Sequence, residues 1–206
     1  MNKIRILIAD DHAVVRMGLS ALFSAKPDLE VVGQAKNGAV AVNEAARTKP
    51  DVLILDLLMP KKDGVEVTRE VRAACPQTRI LILTSYATSD GISRALSAGA
   101  NGAIMKSAEN AELIAAIHAV AAGKTYVSSE IRNLLATDPP VSSLTGRQTE
   151  VLDALTRGLT NKDIATQLGI SVRSVEEHVN HLLEKIGASN RAEAVGIALR
   201  KHLLKI

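Results

Sequence analysis

The sequence of 206 residues contains almost no aromatic side chains, since it has no Trp, one Phe and two Tyr. These three residues are Phe23, Tyr86 and Tyr126. Ile, Leu, Val and Ala must therefore supply nearly all of the buried apolar area, and any core is expected to be aliphatic. The same scarcity argues against a platform of stacked aromatic rings for single-stranded nucleic acids.

Cysteine and long apolar runs are also scarce. Cys75 is the only cysteine, so no disulfide can form within the chain, and a reducing, cytoplasmic setting is the simplest expectation. The most apolar stretches, such as residues 113–122, fall well short of the roughly 20 residues that cross a bilayer. The N-terminus lacks the pattern of a cleavable signal peptide. We therefore expect no membrane partner.

The first 122 residues alternate between short β-branched runs and segments of helical length. The runs Val52-Leu53-Ile54-Leu55 and Ile80-Leu81-Ile82-Leu83 are continuously apolar, which indicates strands that are buried on both faces. Alternation of this kind predicts a doubly wound α/β fold with a five-stranded parallel sheet. The predicted strands cover residues 4–9, 31–35, 52–56, 80–84 and 102–106, and the predicted helices cover 14–24, 39–47, 65–73, 91–97 and 109–121.

The strand pattern ends after Gly123. Residues 123–143 contain Pro139-Pro140 and several Ser, which predicts a linker with one short helix near residues 130–135. Residues 144–206 predict a small all-α domain of four short helices, because helix start and stop signals recur along them. The expected N-caps are Thr145, Thr160, Ser171 and Asn190, and the expected ends are Gly158, Gly169 and Gly187.

Polar side chains follow the predicted strands where each strand ends. Asp10 and Asp11 follow the first strand, Asp56 ends the third, Thr84 ends the fourth and Lys106 ends the fifth. In parallel sheets, ligands bind at this edge. Clustered carboxylates repel one another unless a hard cation lies between them, and Mg²⁺ prefers such ligands. The pattern predicts a Mg²⁺ site at which a carboxylate could accept a phosphoryl group.

Residues 1–122 resemble the receiver domain of bacterial response regulators. The resemblance rests on the acidic pair, on Asp56 in Asp-Leu-Leu-Met-Pro, and on Gly64, Thr84 and Lys106. It implies a flavodoxin-like fold in which Asp56 is the phosphoacceptor and a sensor histidine kinase is the partner. Thr84 and Lys106 would then sense the phosphoryl group.

The same resemblance implies how the metal is held. Asp11, Asp56 and the backbone carbonyl of Leu58 would bind Mg²⁺ directly, and Asp10 would act mainly through water. One position departs from the pattern: Ala103 stands where many receivers have Tyr or Phe. Either the conformational signal runs without an aromatic side chain, or Tyr86 takes part. Tyr86 is equally compatible with a packing role.

Residues 159–171 describe a short helix, a turn with glycine and the start of a longer helix, which is typical of a helix-turn-helix. On the longer helix, Val175, Val179, Leu182 and Ile186 share one face and are expected to pack inward. Residues 144–179 resemble the LuxR-type DNA-binding domain in order and spacing. With a receiver before it, the chain is similar to NarL/FixJ-family response regulators. The resemblance implies a cytoplasmic transcription regulator that binds double-stranded DNA.

The charge of the helical domain complicates DNA binding. From Val141 onward it has nine Lys and Arg against seven Asp and Glu, a net charge of only +2. Glu176 and Glu177 occupy the face that should meet DNA. They form a solvated face, or they read cytosine directly, or the domain binds DNA poorly and recognises a protein. The candidate DNA-contacting residues are Lys162, Arg173, Ser174, Glu176, Glu177, Asn180 and His181.

The last predicted helix, residues 191–203, has an apolar stripe of Val195, Ala198, Leu199 and Leu203. The stripe fits packing within the domain or contact with a second copy. The LuxR-type resemblance favours a homodimer, at least in the phosphorylated state.

Two other functions compete with a transcription regulator. A phosphorylation-dependent protein-interaction adaptor is favoured only by the acidic helix. An enzyme such as an aspartyl phosphatase would need a cap domain or a second acid after Asp56 to handle its substrate, and neither is evident. We therefore do not expect an enzyme.

Overall fold

The structure is a computed structural model that describes residues 3–85, 88–141, 144–201 and 203–204. The chain divides into two compact units, residues 1–138 and 139–206. Each unit has its own apolar core. Among the described residues, no helix is long and apolar enough to span a membrane.

The first unit is a parallel sheet with helices on both faces. Its strands are β1 (Ile4–Ala9), β2 (Leu29–Ala35), β3 (Val52–Leu55), β4 (Arg79–Thr84), β5 (Gly102–Met105) and β6 (Tyr126–Val127). Its helices are α1 (Ala13–Ser24), α2 (Gly38–Thr48), α3 (Gly64–Ala74), α4 (Ser89–Ser97), α5 (Asn110–Ala121) and α6 (Ser129–Thr137). The strand order is β2-β1-β3-β4-β5-β6, which confirms the predicted flavodoxin-like architecture.

Both faces of the sheet are buried, as the continuous apolar runs predict. In β4, Ile80 and Ile82 join the apolar cluster on one face, while Leu81 and Leu83 join the cluster on the other. Phe23 of α1 is fully buried in the second cluster. Among the described residues, the other largest fully buried side chains are all Ile or Leu, in agreement with the composition.

The predicted five-stranded sheet is wrong by one strand. The amide of Tyr126 donates to the carbonyl of Asn101 at 3.0 Å, and the amide of Ser128 donates to that of Ala103 at 3.0 Å, so β6 extends the sheet beyond β5. A side chain at Gly102 would overlap the carbonyl of Tyr126, which explains the glycine there. A strand of two residues leaves too short a pattern to be recognised in a sequence.

The first part of the predicted linker is also part of the first unit. The short helix expected near residues 130–135 exists as α6, and its Ile131 is fully buried in the same apolar cluster as Ala103. The hydroxyl of Ser89, in the first turn of α4, donates to Asp138 Oδ2 at 2.9 Å at the end of α6. Helix α6 is therefore packed on the sheet and tied to α4.

The second unit contains α7 (Gly146–Thr156), α8 (Asn161–Leu168), α9 (Val172–Ile186) and α10 (Arg191–Arg200). Each helix begins at its predicted cap: Thr145, Thr160, Ser171 and Asn190 all accept a hydrogen bond from the amide three residues later. The left-handed Gly169 and Gly187 end α8 and α9. The four residues Val175, Val179, Leu182 and Ile186 are buried as predicted.

Truncation of Ile131 tests whether α6 belongs to the core of the first unit. Ile131→Ala should lower the free energy of unfolding of that unit by about 2–5 kcal/mol, because it leaves a cavity under α6. Hydrogen exchange of the buried amides in β3 and β4 reports on this unit alone. Asn133→Ala, at an exposed position of the same helix, is the matched control. Equal protection in both variants would mean that α6 only rests on the surface.

Candidate functional site

Parallel strands bring four of the candidate residues to one edge of the sheet. The amide of Asp56 donates to the carbonyl of Ala9 at 2.8 Å, and the amide of Lys106 donates to that of Thr84 at 2.9 Å. The hydrogen bonds between neighbouring strands thus continue one residue past the strand ends. They fix the backbone from which the Asp56 and Lys106 side chains extend. Asp10, Asp56 and Thr84 are all buried, with exposures of 2, 5 and 1%.

A lysine shared by two carboxylates occupies the centre of the site. The ammonium nitrogen of Lys106 lies 2.5 Å from Asp10 Oδ2 and 2.6 Å from Asp56 Oδ2. The structure therefore brings together three predicted residues that are far apart in sequence. One cation at hydrogen-bonding distance from both carboxylates reduces the repulsion between them.

Burial and charge act in opposite directions on these groups. Burial raises the pKa of Asp56 above its usual value, Lys106 lowers it by hydrogen bonding and by its charge, and the Asp10 charge raises it. For Lys106, burial lowers the pKa, but hydrogen bonds and attraction from Asp10 and Asp56 prevail and raise it. The Lys106 ammonium stays charged. Because it interacts with two carboxylates, it offsets only part of the effect of burial on the pKa of Asp56.

Asp11 and His12 lie beside this centre. One ligand atom each from Asp10, Asp11, His12 and Asp56 lies within 4.8 Å of the other three. His12 Nδ1 is 2.8 Å from Asp11 Oδ1 and 3.3 Å from Asp10 Oδ1. No role for His12 was predicted from the sequence, although its position directly after the acidic pair was a usable signal.

The residues of the site fit a divalent cation. Three carboxylates and one ammonium leave a net charge of −2 with His12 neutral, and one Mg²⁺ would cancel that charge. Oxygen donors at both a buried and an exposed position suit a metal that keeps several waters. Leu58, the predicted carbonyl ligand, is 43% exposed, and its amide donates to Asp56 Oδ1 at 3.4 Å.

The loop after Asp56 is packed tightly from two sides. The amide of Gly64 donates to the carbonyl of Leu57 at 2.8 Å, and a Cβ at Gly64 would lie 2.7 Å from the carbonyl oxygen of Asp56. A Cβ at Gly91, in the first turn of α4, would lie 2.9 Å from the Leu57 side chain. Helix α4 therefore touches the residue that directly follows Asp56.

Ala103 is fully buried in β5, and α6 packs on the same apolar cluster through Ile131. The sheet face on which many receivers place an aromatic side chain is thus filled by alanine together with α6. Tyr86, the other residue considered for the conformational signal, lies outside the described residues, so its role stays a prediction.

Most of the candidate DNA-contacting residues lie on exposed positions of the second unit. Lys162 is in the first turn of α8, and Arg173, Glu176, Glu177, Asn180 and His181 are exposed on α9. Ser174 differs, because it is half-buried and its hydroxyl lies 2.9 Å from that of the helix cap Ser171.

One acidic residue of α9, Glu177, lies near a basic side chain of the same helix. Arg173 Nε lies 3.5 Å from Glu177 Oε1, one helical turn away, and both side chains are largely exposed. Exposed pairs of this type contribute little free energy, so the guanidinium can exchange this partner for a phosphate at small cost.

The apolar stripe predicted for the last helix is divided between two environments. Ala198 is buried in the core of the second unit, whereas Leu199 is 48% exposed. Val195 and Leu203 are half-buried and pack against that core. Both predicted roles therefore stay open.

Metal-free stability should depend on the protonation of Asp56. Because its pKa is raised in the folded protein, the unfolded chain loses this proton first as the pH rises through the usual value of 3.8. The stability of the wild type relative to Asp56→Asn therefore falls between this pH and the raised pKa, and it stays constant above that range. Urea unfolding in a chelator across this range measures the difference.

Gln34→Ala, at an exposed position of β2, removes no titratable group and is the control, which should show no such trend. Adding Mg²⁺ at neutral pH should raise the stability of the wild type relative to Asp56→Asn, since a ligand at about 100 times its Kd stabilises the protein that binds it by about 2.7 kcal/mol. A pH-independent difference between wild type and Asp56→Asn would contradict the burial of a charged carboxylate.

Comparison with known proteins agrees with the geometry of both units. Residues 6–118 match the family described as response regulator receiver domain, and residues 142–198 match the family described as bacterial regulatory proteins of the luxR family. The transcriptional regulatory protein LiaR of Bacillus subtilis (strain 168) is 35% identical, over 98% of this chain and 99% of LiaR.

Two further proteins are similar over nearly the whole length. The oxygen regulatory protein NreC of Staphylococcus haemolyticus (strain JCSC1435) is 38% identical, over 97% of this chain and 99% of NreC. The crystal structure of ChrA, a response regulator of a heme-sensing two-component system, is 34% identical with a TM-score of 0.60, over 99% of this chain and 100% of ChrA. The chain belongs to the NarL/FixJ family of response regulators, which join a receiver domain to a LuxR-type helix-turn-helix domain.

Proposed function

We propose that this chain is a transcription regulator switched by phosphorylation of Asp56, with a sensor histidine kinase as the phosphoryl donor and double-stranded DNA as the target. The observation that supports this most is the contact of Lys106 with both Asp56 and Asp10 at the edge of the sheet. It leaves a buried carboxylate beside a fixed cation and an acidic cluster that suits Mg²⁺.

Asp56 acts as the nucleophile. One of its carboxylate oxygens attacks phosphorus, an acyl phosphate forms, and the bond between phosphorus and the donor nitrogen breaks. The carboxylates of Asp10, Asp11 and Asp56 and the carbonyl of Leu58 would hold Mg²⁺, which neutralises charge on the phosphoryl oxygens when bound. Lys106, freed from the Asp56 carboxylate, pairs with a phosphoryl oxygen, and Thr84 donates its hydroxyl to another. This transfer is a step of the switch and not the turnover of a small substrate.

The signal leaves the site through α4 without an aromatic relay. Leu57 follows Asp56 and touches the first turn of α4 at Gly91, so a shift of the loop displaces that turn. The same turn holds Asp138 through Ser89. Ala103 then needs no larger side chain, because the coupling runs along the face that α6 covers.

In the proposed arrangement, the second unit binds DNA through α8 and α9. Glu176 and Glu177 remain solvated and do not contact the DNA. Lys162, Arg173, Asn180 and His181 supply the contacts, and the weak Arg173 pair releases its guanidinium to phosphate. Ser174 serves the helix cap and contributes less. We further propose that the protein acts in the cytoplasm and binds DNA as a homodimer, at least when phosphorylated.

Phosphorylation and DNA binding can be tested together. Incubation with Mg²⁺ and a small acyl phosphate should add one phosphoryl group to the wild type and none to Asp56→Asn, as seen by mass spectrometry of the intact protein. Selection of genomic fragments should then enrich a defined set with the phosphorylated wild type. An unmodified Asp56 would contradict the switch, and no enrichment in either state would contradict a role at DNA.

Charge reversal on α9 tests the acidic face. Glu176→Lys with Glu177→Lys should raise nonspecific DNA affinity, because two charges that repel phosphates become two that attract them. Electrophoretic retardation at low salt measures this, and Glu150→Lys with Glu184→Lys is the control for net charge. Failure of the wild type to retard any fragment while the variant binds would favour the second candidate function, a protein-interaction adaptor. That alternative is supported by the exposure of Glu177, whose side chain is 62% exposed.

A further inference from the structure

The turn that joins β1 to α1 is held by several contacts besides the one from Lys106. Every polar group of Asp10 has a partner in the protein. Its amide donates to Ala35 at 3.1 Å, its carbonyl accepts from Arg16 Nη1 at 2.8 Å, its Oδ1 accepts from the amide of His12 at 2.8 Å, and its Oδ2 accepts from Lys106. Asp10 is therefore fixed from four directions.

The contact from Arg16 controls more than Asp10. The carbonyl that accepts its guanidinium N–H belongs to the peptide group between Asp10 and Asp11. The orientation of this peptide plane sets the direction in which Asp11 leaves the backbone. A hydrogen bond to this carbonyl thus aims the neighbouring carboxylate, although Arg16 lies one turn into α1.

His12 completes the arrangement from the other side. Its Nδ1 lies 2.8 Å from Asp11 Oδ1, and a carboxylate can only accept, so the ring donates there. The side chain is two-thirds exposed, which places the ring at the rim of the acidic cluster and outside its buried centre. Adjacent carboxylates repel and would turn apart without such donors.

We propose that Arg16 and His12 are positioning residues for the metal: together they hold the Asp10–Asp11 turn so that both carboxylates face a hard divalent cation. The inference rests on the proposed function, which supplies the Mg²⁺ site. Neither residue contacts the phosphoryl group. Their effect is on metal affinity, and outer partners of metal ligands typically change it by about 10- to 100-fold.

Calorimetric titration of the full chain with Mg²⁺ tests this directly. Arg16→Ala and His12→Ala should each raise the Kd by about 10- to 100-fold. Arg16→Lys should lie between Arg16→Ala and the wild type, because it keeps a donor and the charge but lacks the planar fork. Arg47→Ala, which removes an arginine from an exposed ion pair in the same unit, should leave the Kd unchanged.

Two further readouts separate positioning from simple structural support. The Tm in a chelator should change no more in Arg16→Ala than in Arg47→Ala. Phosphorylation by a small acyl phosphate should need more Mg²⁺ for half-maximal rate but reach the wild-type rate at saturation. A lowered Tm with an unchanged Kd would overturn the proposal, and so would a reduced rate at saturating Mg²⁺ with an unchanged Kd.

The possible failures are distinguishable. If the wild type binds no Mg²⁺, the proposed function and the positioning role fall together. If it binds Mg²⁺ but Asp56 takes up no phosphoryl group, the switch is wrong, while the Kd values still decide the role of Arg16 and His12. If the wild type does both and the variants bind Mg²⁺ normally, only the positioning role is wrong.

Discussion

The receiver unit depends on one cation shared by two buried carboxylates. Lys106 reaches Asp10 and Asp56 because their strands run parallel and end at the same edge, so the topology of the sheet decides which charges meet. Without the ammonium, two carboxylates that are at most 5% exposed would repel each other with little solvent to screen them. With it, the site is held together but still carries excess negative charge. That imbalance makes the same residues both a stable structure and a receptor for a divalent cation.

The two units use charge differently. At the site of the first unit, the carboxylates of Asp10 and Asp56 are buried and pair with Lys106 at short distances. In the second, the charges on α9 are exposed and the clearest pair, Arg173 with Glu177, is long and solvated. Buried charges hold a fixed geometry, whereas exposed charges are free to change partners. The geometry of the receiver site is therefore fixed by contacts within the protein. The contacts of the charged side chains on α9 depend instead on the groups of the molecule that binds there.

Sequence patterns predicted the features that repeat or that have strong local signals. The five main strands, the four caps of the second unit and the convergence of Asp10, Asp56 and Lys106 all follow from periodicity, cap residues and the rule that parallel strands end together. Strand β6 was missed because two residues show no period. Helix α6 was predicted near its place but assigned to a linker, since only the contact of Ile131 with the sheet reveals where it packs.

Other parts of the site lay beyond local patterns for a different reason. The hydrogen bond from Arg16 to the carbonyl of Asp10 is accepted by the backbone. Any residue type at position 10 would offer the same carbonyl, so the sequence does not indicate this hydrogen bond. The contact between Ser89 and Asp138 joins residues 49 positions apart that have no charge pattern in common. Such contacts depend on how elements pack after they form, and local sequence patterns do not reveal them.

The position of Asp138 has a consequence for modular engineering. Asp138 is bonded to α4 of its own unit, and the carbonyl of the next residue, Pro139, accepts from Lys201 of the other unit. The boundary between the two units therefore lies at the peptide bond between residues 138 and 139. A chimaeric regulator joined at residue 122 would strip β6 from the sheet, leave β5 as an unpaired edge and uncover the site of Ile131. A chimaera joined after residue 138 keeps β6, α6 and the Ser89–Asp138 hydrogen bond in the first unit, and the Lys201–Pro139 hydrogen bond in the second.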